Sequence, residues 1–112
     1  MEPGLRTHRQ ASLRIAIAEG LPIEMRPNVR EILSVQSSNP RKGDATALMY
    51  QVCAEADKWW FTLLVQVLPF DDGMTMEQLQ KWYGRFGFLK IQDEPCVLMV
   101  RSPQPPRIAR VH

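Results

Sequence analysis

The sequence predicts an α/β fold: a mixed central sheet built around a parallel strand–helix–strand core. Three observations carry this expectation. The chain has 112 residues, 45% hydrophobic and 23% charged, which is the size and mix of one globular domain. Its apolar pattern changes period along the chain, from alternation to a helical stripe and back again. The stripe lies between two strand-like runs, and such a unit pairs its strands in parallel through a right-handed crossover.

The elements follow in order. Residues 1–11 are polar and basic without periodicity and read as a flexible arm. Residues 13–18 alternate apolar with small or polar side chains, a strand. Gly20, Pro22, Pro27 and Asn28 make residues 19–28 a run of turns, with room for one short strand. Residues 30–37 form a second strand, closed by Ser37-Ser38-Asn39-Pro40. Ala45, Leu48, Met49, Val52, Cys53 and Ala56 then fall on one helical stripe. Residues 61–68 are nearly all apolar and suit a central strand covered on both faces.

Residues 69–73 have turn chemistry. Thr75 and Gln78 are spaced as a capping box, and Met74 with Leu79 as a hydrophobic staple. Met76, Leu79, Tyr83 and Phe86 share a face of the helix that follows, and Gly87 can stop it in a left-handed conformation. Residues 88–91 and 97–101 are two short strands. Three prolines make residues 102–112 a flexible tail, so a single folded domain is expected over residues 12–101.

Composition excludes several classes. The longest apolar stretch, residues 59–65, is short and broken by Thr62, so no membrane-spanning helix and no membrane partner is expected. Met1-Glu2-Pro3-Gly4-Leu5 lacks the apolar core of a secretory signal, which makes the cytoplasm the default setting. Cys53 and Cys96 are far apart, and His8 and His112 sit near opposite ends, so neither a disulfide framework nor a metal site is expected. A net charge of +2 is too small to argue for nucleic acid.

The most informative junction is Pro40-Arg41-Lys42-Gly43-Asp44-Ala45-Thr46. A strand ends, a basic turn follows and a helix begins. Free N–H groups and the positive end of the dipole lie at such a start, and Gly43 lets the backbone approach a ligand. Arg41 and Lys42 add positive charge, so the segment suits a phosphate or diphosphate. Asp44 has a competing reading, in which its carboxylate caps the helix.

This junction resembles the phosphate motif of the GNAT superfamily of acetyl-CoA-dependent N-acetyltransferases, with Gly43 and Ala45 at the family's small positions and Pro40 at a position usually Gln or Arg. Trp82-Tyr83-Gly84-Arg85-Phe86-Gly87-Phe88 is similar to the family's aromatic-Tyr-x-x-x-Gly-Phe signature. The resemblance covers residues 30–101 and looks like a minimal member of the kind found in bacteria and phages. It implies a GNAT-like sheet whose central strands splay apart. It also implies transfer of an acetyl group from acetyl-CoA to a primary amine by direct attack in a ternary complex.

On the same resemblance, the diphosphate would lie on Arg41, Lys42, Gly43, Asp44, Ala45 and Thr46. The pantetheine arm would lie along Ser34, Val35 and Ser37, with the thioester carbonyl near the Val35 N–H. Tyr83 would be the general acid, although its helical spacing alone reads as core. Glu31 would be the base, with a surface charge at a strand end as its plain alternative. Asp71 and Asp72 would attract a cationic acceptor, and otherwise form a polar turn. Cys53 reads as core. At least one of Trp59 and Trp60 is expected to pack over the sheet edge and the other to be exposed, where it would meet an acceptor or a second copy in a homodimer, with core packing the plainer reading. The acceptor amine would be on a protein lysine, a chain terminus or a small molecule, and the short N-terminal region favours a large acceptor. The alternative is a catalytically weak interaction module of the same fold that binds coenzyme A.

Overall fold

The computed structural model describes residues 1–37, 43–68 and 74–105. Six strands form one mixed sheet in the order β1-β2-β3-β4-β6-β5. They are β1 (Gly4–His8), β2 (Ala11–Ile17), β3 (Val29–Ser37), β4 (Thr62–Val67), β5 (Leu89–Gln92) and β6 (Val97–Arg101). Helix α1 (Asp44–Trp59) joins β3 to β4, and α2 (Met76–Gly84) joins β4 to β5. β3 and β4 are the parallel pair, and every other pairing is antiparallel. A 3-10 helix, Ile23–Asn28, occupies the turn-rich segment before β3.

Register sorts the side chains into two faces. Leu13 and Ile15 of β2, Ile32 and Val35 of β3, Leu63, Val65 and Val67 of β4 and Met99 of β6 turn to one side. There they join the α1 stripe and Leu79, Tyr83, Phe86 and Phe88 in one buried cluster. Both helices therefore cover the same face. Tyr50 of α1 meets Phe86 edge-on at 4.8 Å, and Trp82 of α2 donates its indole N–H to Thr46 Oγ1 at 3.1 Å. The opposite face carries Arg14, Leu33, Gln66 and Leu89 exposed, with Leu64, Leu98 and Val100 half-buried. Among the described residues no α-helix lies over it. The expectation that residues 61–68 are covered on both sides is thus corrected, because their run of apolar residues serves one deep face and one shallow one.

The expected flexible arm over residues 1–11 is likewise corrected. Leu5 pairs with Arg14 and His8 with Ala11, which makes β1 an edge strand. Its inward positions are polar, which is why no apolar alternation marked it. The Arg6 guanidinium grips both carboxylate oxygens of Glu55 on α1 (3.1 and 3.0 Å), and Gln51 bonds His8 Nδ1 at 3.0 Å. Polar pairs replace apolar ones at this end of the helix.

The start of the Pro-rich tail is also fixed. The Gln104 N–H donates to Asp57 Oδ1 at 2.9 Å, and Asp57 holds the buried Arg101 by two bonds of 2.7 and 3.0 Å. Arg101 Nε donates to the Phe86 carbonyl. Burial alone would raise the Asp57 carboxyl, but the bonds from Arg101 and Gln104 hold it below its ordinary value. Gly87 is needed here because its φ is +95°; a Cβ would also push aside the flexible end of the Gln104 side chain, 2.5 Å away.

The capping box forms as expected: Gln78 N–H donates to Thr75 Oγ1 at 3.1 Å, and Thr75 N–H to Gln78 Oε1 at 2.9 Å. Trp59 and Trp60 do not pack in the core. They stay 58% and 57% exposed, because α1 ends there and Trp60 turns left-handed (φ 63°) to start the chain toward β4.

Candidate functional site

The parallel pair is short. β3 and β4 stay in register only from Val29↔Thr62 to Ile32↔Val65. Beyond Ile32, β3 continues to Ser37 in register with β2 alone. A bulge at Leu33 accompanies the parting, since Arg14 faces Ser34 while Ile15 faces Ile32. The edge of β3 that faces β4 is therefore not taken up by that strand over residues 33–37.

The start of α1 lies beside the end of this edge. Ala11 pairs with Ser37, and the preceding Gln10 N–H points at Asp44 Oδ2 (3.4 Å) in the first turn of α1. Gly43 is left-handed (φ 72°), and no side chain caps the helix. The first intrahelical bond is Ala47 N–H to Gly43 O, so the N–H groups of Asp44, Ala45 and Thr46 precede the helical ladder. The reading of Asp44 as a helix cap is corrected, because its buried carboxylate turns to the β1–β2 turn instead. The Thr46 hydroxyl is engaged by Trp82. What these two residues can offer an anion is backbone N–H, and the Asp44 charge works against one.

The other predicted residues separate by face. Val35 is buried against the helices, whereas Ser34 and Glu31 lie on the open face, opposite Arg14 and Ala16. Glu31 pairs with Leu64, one position before β3 and β4 part. Tyr83 comes from the covered side. It is 2% exposed, edge-on to Trp82 at 5.0 Å and to Phe88 at 5.5 Å, and desolvation pushes its phenol up to about 12. Cys53 is buried as expected, and its thiol is raised to about 11 by desolvation. Arg41, Lys42, Asp71 and Asp72 lie outside the described residues.

Two residues that the sequence reading passed over belong here. Arg14 and Glu19 line a groove on the open face together with Glu31 and Leu33. The alternation of β2 already turned Arg14 outward, but nothing local joined it to Glu31. Among the described residues no group of three or more His, Cys, Asp or Glu is placed to hold a metal, and no helix is long and apolar enough to cross a membrane.

These features define a small α/β protein with a six-stranded mixed sheet and both helices on one side. No family model matches the chain, and no curated protein matches it. Among solved structures, the fold is similar to the crystal structure of the anti-CRISPR protein AcrVA5. The TM-score is 0.71 at 18% identity, over 91% of this chain and 100% of that one. The likeness is one of fold. The membership of the GNAT superfamily implied by the two short motifs is corrected by these findings, since no family model supports it. Each motif has a local physical cause: Gly43 starts α1 and Gly87 follows α2 in left-handed backbone, while Tyr83 and Phe88 fill the core.

Proposed function

We propose that this protein is an acetyltransferase that moves the acetyl group of acetyl-CoA to a primary amine by direct attack in a ternary complex in the cytoplasm. The parting of β3 from β4 beside the uncapped start of α1 is the observation that supports this reading most. The β3 edge over residues 33–36 would pair with the amides of an extended pantetheine arm as an added strand would. The N–H groups at the start of α1 would face the diphosphate. The fit rests on these backbone donors, and Asp44 weakens it.

The thioester supplies an activated acyl carbon and a thiolate leaving group. The Val35 N–H would polarise its carbonyl. Glu31, on the open face where the strands part, would draw in the ammonium and accept its proton directly or through water. The amine nitrogen then bonds the acyl carbon and the carbon–sulfur bond breaks. Tyr83 would protonate the departing sulfur, with burial working against it, because desolvation raises its phenol to about 12 and makes it a weaker acid than an ordinary tyrosine.

Calorimetry with acetyl-CoA and a labelled-acetyl transfer assay test this reading. Tyr83→Phe should leave affinity unchanged and lower turnover about 100-fold. An absence of binding heat, or full turnover in that variant, would refute it. The fold likeness to AcrVA5 favours a second reading, anti-CRISPR action. Plasmid interference by a CRISPR system, scored with and without this protein, tests that independently.

A further inference from the structure

The open sheet face carries a groove of about 630 Å³ at the β1–β2–β3 end, floored by Ala16 and Leu33 and bordered by Arg14, Glu19 and Glu31. Arg14 faces Ser34 across the β2–β3 pair, while Glu31 faces Ala16, two positions along β2 from Arg14. Arg14 and Glu31 therefore lie on one face on adjacent strands, offset along β2 by the one i, i+2 repeat from Arg14 to Ala16, roughly 6.5–7 Å. Among the described residues neither joins an ion pair, although both are ionic groups at the same groove. Two opposite charges thus stand on one face, and among the described residues neither is engaged by an ion pair.

In an extended peptide, side chains at i and i+2 leave the same face roughly 6.5–7 Å apart. That repeat matches the offset of Arg14 and Glu31 along the strand direction. Two carboxylates stand against one guanidinium in the groove, so its balance favours a ligand with a cationic anchor. We infer that the groove binds an extended peptide segment with a lysine on Glu31 and an acidic residue two positions away on Arg14. Ala16 and Leu33 offer the apolar floor between them. The segment would be the acceptor of the activity proposed above, and the inference rests on that reading for its chemistry but not for binding.

Three labelled peptides test it, identical except at the i and i+2 pair: lysine with glutamate, lysine with alanine, lysine with lysine. Fluorescence anisotropy without acetyl-CoA reads binding alone. The lysine–glutamate peptide should bind about fivefold more tightly than lysine–lysine, the scale of an exposed ion pair gained against a repulsion. Arg14→Glu should reverse the order, and Arg14→Gln should abolish the preference for the lysine–glutamate peptide. Arg14 is exposed, so both variants keep the fold. Equal affinity for all three peptides, or an unchanged order in Arg14→Glu, would overturn the inference. Charge-ordered binding without acetyl transfer would remove the proposed activity and keep the groove. Transfer to all three peptides alike would do the reverse.

Discussion

The two faces of the sheet are built to different rules. On the covered face, Leu63, Val65 and Val67 of β4 meet the stripe of α1 and the aromatic residues around α2, and almost nothing there reaches water. On the other face, Leu33 is 53% exposed and Leu89 71% exposed, and charged groups stand beside them. The covered face concentrates the apolar burial that holds the fold, while the open face keeps its charges accessible. A sheet covered on one side can hold its shape and still present ionic groups at fixed spacings, because the strands are positioned from behind.

The largest expected effect separates the faces by stability. Leu63→Ala should cost about 2–5 kcal/mol in chemical denaturation, through lost burial and the cavity left behind. Leu33→Ala should change stability by no more than about 0.5 kcal/mol. Equal losses would mean that the open face is covered in solution.

Next comes the buried ion pair at the edge of the covered face. Asp57→Ala leaves Arg101, 4% exposed, without its carboxylate and should cost about 3 kcal/mol. Because the Asp57 carboxyl is held below its ordinary 3.8, the stability it contributes is present above that value and lost as pH falls through the depressed one. Urea midpoints measured down the acid range should show this limb in the native protein and not in the variant. On the alkaline side the sign reverses. Desolvation raises Cys53 from 9.0 to about 11 and Tyr83 from 10.0 to about 12, so their contributions are full below 9.0 and 10.0 and lost as pH rises through the folded values. Cys53→Ala should remove the earlier part of that loss.

A smaller effect tests the helix start. Thr75→Ala removes one half of the capping box and should cost about 1 kcal/mol, read as a shift in melting temperature. The smallest expected effect is that of Arg14→Glu on stability, within about 0.5 kcal/mol, with the change confined to which peptide is preferred.

The sequence was legible where a signal is local. The α1 stripe from Ala45 to Ala56, the Thr75–Gln78 box and the β6 run of residues 97–101 all appear where periodicity and capping placed them. β1 was not legible, because Arg6 and His8 pair with Glu55 and Gln51 of α1 instead of presenting an apolar face. The exposure of Trp59 and Trp60 was not legible either, since large aromatic residues usually seek the core. Of the site, the outward placement of Glu31 and Arg14 follows from alternation. Their position beside each other follows only from the register of β2 on β3.

The amino-acid sequence by itself determined the strands and helices from β2 onward, their order and the parallel unit at the centre, because backbone preference and apolar period act over a few residues. The tertiary structure alone decided which face stays open, where β3 leaves β4, and which charges are spent. Arg101 and Asp57 are 44 positions apart, and Arg6 and Glu55 are 49 apart. Pairs so distant along the chain leave no periodic trace in it, since their meeting depends on strand register and helix docking rather than on either residue's neighbours.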